Sequence, residues 1–186
     1  VYLNKLISRK ENGLIKIITG IRRCGKSYLL DPLFKNYLLE SGVKEDHIIK
    51  LELDKEENKK FRDSHELNEY IKSLIKDKNM YYILLDEIQM VGGFESVLNS
   101  FLYERNLDVY VTGSNSKFLS SDIITEFRGR GDEIKVFPLS FSEYIESFKG
   151  DKQDAWNEYV LYGGLPLIFS KKTDEEKSKY LKDLFY

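Results

Sequence analysis

The sequence predicts a three-layer α/β/α domain built on a parallel β-sheet. Three observations carry this. Strand-like apolar runs alternate with helix-like runs, which implies a parallel sheet covered on both faces. A glycine-bounded loop, Gly20 to Ser27 (GIRRCGKS), joins the first strand to a helix-compatible run. Three polar sites, residues 20–27, 86–87 and 113–116, end predicted strands, where such sheets bind ligands.

The elements follow in order. Residues 1–13 are charged and helical in pattern, ending at Asn12-Gly13. Leu14 to Thr19 is the buried strand that feeds the loop, and Ser27 to Glu40 reads as the following helix. His47 to Asp54 alternates as a strand, and Lys55 to Arg62 reads as a solvated charged connection. Ser64 or His65 opens a helix through Lys78, with Leu67, Tyr70, Ile71, Leu74 and Ile75 at helical spacing. Tyr81 to Asp86 is a buried strand ending in an acid pair, and Phe94 to Glu104 a helix. Asp108 to Thr112 is a strand, Lys117 to Ile124 a short helix, and Glu133 to Leu139 a fifth strand. Residues 141–148 and 151–162 are helical, Gly163-Gly164-Leu165-Pro166 breaks the chain, and a charged helix follows. Trp156, Tyr159 and Tyr162 sit at helical spacing, as core or docking residues do.

The loop matches G-x-x-x-x-G-K-S, the phosphate-binding loop of nucleoside triphosphatases. Glycines at 20 and 25 allow a tight turn and close approach of backbone to phosphate. Amides of residues 23–27 and a helix N-terminus near Lys26 then favour an anion. Lys26 is expected to reach the β- and γ-phosphates, and the Ser27 hydroxyl to bind Mg²⁺. The binding segment is therefore Gly20, Ile21, Arg22, Arg23, Cys24, Gly25, Lys26, Ser27 and Tyr28. Within it, Arg22 and Arg23 read as structural or surface residues. Cys24, beside Lys26 and a helix start, reads as a reactive thiol that bound nucleotide would protect.

Asp86 is placed to support Mg²⁺, with Ser27 as the other metal residue, and Glu87 is the expected general base. Ser114 and Asn115 end the strand expected between the loop strand and the acidic strand. Either is a candidate to hold the attacking water or touch the γ-phosphate, and either residue type also suits a turn or helix cap. Arg128 and Arg130 precede the fifth strand, as an arginine finger or as solvated charges.

Composition limits the alternatives. With 186 residues the chain holds one real core, and its net charge of −2 does not suit a protein built to coat nucleic acid or an anionic membrane. One cysteine excludes an intrachain disulfide and fits a reducing, cytoplasmic setting. His47 and His65 with one Cys do not make a zinc site, and no nucleophile-elbow pattern occurs. No run approaches the length of a membrane span. The chain lacks an initiator Met and ends inside a helical pattern, so it reads as part of a longer protein.

Taken together these segments resemble a prokaryotic AAA+ ATPase of AAA domain family 14. The loop is similar to that family's G-x-R-R-x-G-K-[ST], with Cys24 where Ser is commoner, and Asp86-Glu87-Ile88-Gln89 to its D-E-I-Q. Thr112 to Ser116 resembles T-G-S-x-S, and Gly129-Arg130 its G-R. Pro138 to Tyr144 resembles P-L-S-F-x-E-[FY], and Gly163 to Pro166 G-G-[LF]-P. Phe94 stands where relatives commonly carry Trp, and no lid sensor arginine is identifiable. The resemblance implies a P-loop AAA+ core over residues 1–150 with strand order 5-1-4-3-2, and the start of a helical lid over 151–186. It also implies a further C-terminal region, winged-helix-like or nuclease-like, and it singles out Arg130 as the finger, in cis or in trans within a homo-oligomer.

The expected activity is Mg²⁺-dependent ATP binding and hydrolysis, coupled to a C-terminal domain or partner. Lys26, Glu87, Ser114, Asn115 and Arg130 are the catalytic set. ATP over GTP rests on the resemblance, and no guanine-reading N/T-K-x-D occurs. The alternatives are a slow nucleotide-gated switch, the ATPase module of a DNA-acting protein, and a small-acceptor kinase.

Overall fold

The protein was analysed as a computed structural model, which describes residues 1–114 and 127–185. Asn115 and the helix expected over 117–124 lie outside the described residues. The chain forms two compact units, Val1–Gly20 with Lys26–Lys135, and Ile21–Gly25 with Val136–Tyr186. The second unit thus takes in a segment, 136–150, that the sequence-based division places with the core.

The first unit holds helix α1 (Tyr2–Ser8), strand β1 (Ile15–Thr19), helix α2 (Lys26–Tyr28) and helix α3 (Lys35–Glu40). Strand β2 (Ile48–Glu52), helix α4 (Ser64–Leu74), strand β3 (Tyr81–Asp86) and helix α5 (Phe94–Leu102) follow. Strands β4 (Leu107–Thr112) and β5 (Gly131–Lys135) complete it. All pairings are parallel, in the order β2-β3-β4-β1-β5, which read from the other edge is the expected 5-1-4-3-2.

Alternation along the strands builds two layers. Ile17, Leu51, Leu85 and Val111 face a core shared with Leu67 and Ile71 of α4 and Val97, Leu98 and Phe101 of α5. On the other face Phe34 packs on Tyr110, with ring centroids 4.5 Å apart. That face also carries Asp86 and Thr112, so strand periodicity sends the last side chains of β3 and β4 to the same side as the α2 segment.

Four expectations need correction. The helix expected over 27–40 is interrupted, because Asp31 is extended (φ −144, ψ 122) ahead of Pro32. A residue before proline is pushed out of the α region. The connection 55–62 is a 3-10 segment, Glu56–Arg62, that buries Phe61 against Tyr70. Arg62 donates to the carbonyls of Leu53 and Asp54, so this segment is anchored at its end, while Lys55, Glu56, Glu57, Lys59 and Lys60 stay exposed as expected. The fifth strand was expected over 133–139 but spans Gly131–Lys135. As an edge strand it has one neighbour, and its pairing ends with Thr19 of β1 opposite Lys135. Helix α4 begins at Ser64, where the Asp63 carboxylate caps it by accepting from the amides of His65 and Glu66, but it ends at Leu74 rather than at the expected Lys78.

Two polar features of this unit were not legible. Lys16, inside an apolar run, is wholly buried and paired with Asp108, which also accepts from the Tyr110 hydroxyl. His47 stacks on Tyr81 at 4.3 Å and contacts Asp46 (2.7 Å) and Asp77 (3.3 Å). The Asp46 contact raises the imidazole pKa; burial opposes it, and Asp77 adds to the rise. A raised folded-state pKa stabilises fully below the unfolded value, about 6.5, and the gain is lost as pH rises through the folded pKa. Thermal melts should therefore show His47→Gln costing more stability at pH 5.5 than at pH 8.5.

In the second unit, helices α6 (Phe141–Ser147), α7 (Lys152–Tyr162) and α8 (Asp174–Phe185) surround an aromatic cluster. Ser140 and Glu143 form a capping box at the start of α6, a physical reason for the S-F-S-E order. Trp156 packs edge-on against Phe141 at 5.0 Å yet stays half exposed, while the Tyr159 hydroxyl donates to the Leu139 carbonyl at 2.9 Å. At Gly164, an added Cβ would lie 2.0 Å from the Leu139 carbonyl oxygen, and neither backbone can step aside easily. Gly164→Ala should cost this unit about 2 kcal/mol or more in denaturant unfolding.

Candidate functional site

In the first unit the site forms where β1, β3 and β4 end. Gly20 closes β1 with φ 147, and the Lys26 ammonium, 4% exposed, donates to the Gly20 carbonyl at 3.0 Å. Ser27 is exposed, and its side chain hydrogen-bonds Asp86. Asp86 ends β3 and is 6% exposed.

Parallel register explains the next contact. Leu85 stands opposite Val111, so the following side chains, Asp86 and Thr112, meet. The buried Thr112 hydroxyl donates to Asp86 Oδ1 at 2.5 Å and accepts from the Glu87 amide at 3.0 Å. Burial pushes the Asp86 carboxyl pKa up, the Thr112 and Ser27 hydroxyls pull it down, and the charges of Glu87 and Asp54 raise it again.

Glu87 has left-handed backbone (φ 56, ψ 50), uncommon for a residue with a Cβ. That conformation turns its side chain away from the strand's alternation. Its carboxylate accepts from Ser114 Oγ at 2.8 and 3.0 Å and from the Gln89 amide. Ser114 lies two residues past Thr112 and is itself buried.

A neighbouring cleft of about 260 Å³ is lined by Ser27, Tyr28, Asp31, Lys50, Glu52 and Asp86. Lys50 bridges Asp31 and Glu52, and Glu52 stands in register with Asp86. Sequence reading missed these three. The available signal was position, since Glu52 falls at a strand end beside the acidic strand.

The donor set fits magnesium. The Ser27 hydroxyl and the buried Asp86 carboxylate meet, an all-oxygen donor pair of the kind Mg²⁺ takes. Among the described residues no group of three or more His, Cys, Asp or Glu could hold a metal alone. Mg²⁺ characteristically uses one or two protein ligands with substrate phosphates and water.

The loop residues 21–25 belong to the second unit. Arg23 is left-handed (φ 64), as is Gly25 (φ 101), and the Arg23 guanidinium lies 5.1 Å from the centroid of the Tyr180 ring of α8. Arg22, Arg23 and Ile21 are exposed. Cys24 corrects its expectation: it is 4% exposed, and its thiol donates to the Val136 carbonyl at 3.6 Å. Burial and a carbonyl acceptor favour the inert thiol over a thiolate.

Within the first unit the fold gathers Lys26, Ser27, Asp86, Glu87 and Ser114, but not Arg130. The Arg130 carbonyl accepts from Ile15 at the start of β1, and its guanidinium donates to Asn99 at 2.7 Å. Gly20, in the same unit, lies past the far end of that strand, roughly 15 Å away at ~3.3 Å per residue. This corrects the cis form of the arginine-finger expectation.

With that geometry in hand, a family model described as an AAA domain matches residues 12–145. The chain belongs to the AAA domain family. This AAA domain is 35% identical over 173 residues to an uncharacterised Haemophilus influenzae protein, covering 90% of this chain and 43% of the relative. It spans less than half the length of the curated relatives it matches. Its fold is similar to a Walker-type ATPase of Pyrococcus abyssi (TM-score 0.61, 15% identity, 99% of this chain and 70% of that one). It is also similar to AMPPCP-bound DnaA from Aquifex aeolicus (TM-score 0.53, 16% identity, 98% and 58%). No described helix is long and apolar enough to cross a membrane.

Proposed function

We propose that this AAA domain is a Mg²⁺-dependent ATPase whose nucleotide state is passed to the rest of its protein. The observation that carries the reading is the meeting of Ser27, Asp86, Thr112, Glu87 and Ser114 at neighbouring strand ends. In this reading Lys26 and the loop amides bind the phosphates, and Ser27 and Asp86 hold the metal. Bound Mg²⁺ would neutralise phosphate charge. Glu87 takes a proton from the attacking water, oriented by Ser114, and Asn115 is the further candidate beside it. Arg130 acts only on a neighbouring subunit's nucleotide. Arg23, from the loop onto Tyr180 of α8, is the first link toward the C-terminal part. The AMPPCP on the DnaA relative supports an adenine nucleotide.

One observation favours a slower, switch-like variant. The Glu87 carboxylate already accepts from Ser114 and Gln89, so part of its accepting capacity is taken up before water arrives. Calorimetric titration of the full-length protein with ATP and GTP, with Mg²⁺ or with EDTA, tests the reading. Saturable ATP binding strengthened by Mg²⁺ is expected; no binding of either nucleotide would overturn it.

A further inference from the structure

Thr112 has no assigned role, yet it touches both acids of the site. Its side chain is wholly buried, so no water substitutes for it. One hydroxyl serves two neighbours at once. It donates its single proton to Asp86 Oδ1 (2.5 Å) and accepts the Glu87 amide proton (3.0 Å). The first bond aims the carboxylate beside Ser27. The second holds a peptide whose next residue is in a left-handed conformation that is unfavourable for a residue with a Cβ. An unpaired buried amide would disfavour that conformation further.

The geometry points to Thr112 as a positioning residue that sets the metal-side carboxylate and the base together. This rests on the ATPase reading above. Because the hydroxyl lies behind Asp86 rather than on the phosphates, its loss should weaken the Mg²⁺ response and the chemical step, not nucleotide binding itself.

The test uses the full-length protein with Thr112→Val, which keeps the branched shape, and Thr112→Ser, which keeps the hydroxyl. ATP affinity is measured in EDTA and across a Mg²⁺ series, alongside kcat and KM. For Thr112→Val, ATP affinity in EDTA should stay within about twofold. The Mg²⁺ concentration that half-maximally strengthens ATP binding should rise about tenfold, and kcat fall about tenfold or more with KM little changed. Thr112→Ser should recover both to within about threefold of wild type.

A Val variant with the wild-type Mg²⁺ response and kcat overturns the inference and leaves the ATPase reading standing. So does equal impairment of Val and Ser, which would assign the effect to the lost methyl or strand packing. A Val variant that loses ATP binding in EDTA also overturns it, as general damage. Wild-type protein that binds no ATP removes the ATPase reading, and the inference with it. If wild type binds without turnover, the Mg²⁺ dependence of affinity decides the inference alone.

Discussion

Glu87→Gln is expected to lower MgATP turnover by about 10²–10³-fold while leaving ATP affinity within a few-fold. The amide keeps the size of the side chain and can still accept from Ser114, whose hydroxyl now sits 2.8 Å from a Glu87 oxygen. It cannot take a proton from water. The backbone of residue 87 should persist, because the hydrogen bond its N–H donates to the Thr112 hydroxyl does not involve the substituted group. Single-turnover hydrolysis, paired with equilibrium ATP binding, separates the two effects. Retained turnover would remove Glu87 from the base role and leave water activation to another group.

Lys26→Ala is expected to weaken ATP binding by about 10²-fold, the loss of roughly 3 kcal/mol of charge-assisted contact. The ammonium is buried and held at the Gly20 carbonyl, so the loop carries a fixed positive charge before any ligand arrives. Alanine removes the charge with little effect on the sheet, since Gly20 and Lys26 flank the loop rather than fill the core. Lys26→Arg should not restore binding, because a planar fork differs in size and hydration from a compact ammonium. ATP titration checks both variants. An alanine variant within threefold of wild type would contradict a phosphate role for Lys26.

Much of this architecture was legible before the fold was seen. β1 and β3 announced themselves as apolar runs, and β4 as an apolar stretch stopped by Gly113. The glycine spacing marked the loop, and the acids at 86 and 87 marked the end of β3. What stayed hidden has physical causes. The break at Asp31 competed with a convincing helical pattern on both sides of Pro32. The end of β5 depended on where its single partner stops, which no local signal encodes. The Lys16–Asp108 pair and the Lys50 bridge join residues far apart in sequence, so only the folded sheet brings them together. For Arg130 the sequence left cis and trans action open, because adjacency to β5 does not say which end of the sheet a residue occupies. Cys24 has activating neighbours in sequence, yet the fold buries it with its thiol on the Val136 carbonyl.

The site was legible in its parts and not in its wiring. Ser114 was a candidate for the γ-phosphate or water, and the fold places its hydroxyl on Glu87. In the sequence Thr112 is the last residue of a strand and the first of the T-G-S-x-S segment, with no sign of its partners. Parallel register, set by many apolar pairs, decides that it meets Asp86.

The most direct test of the central claim is phosphate release from MgATP by the full-length wild-type protein beside Glu87→Gln, each with and without EDTA. The account predicts release that requires Mg²⁺ and is lost in Glu87→Gln. Release that persists equally in Glu87→Gln or in EDTA would contradict it.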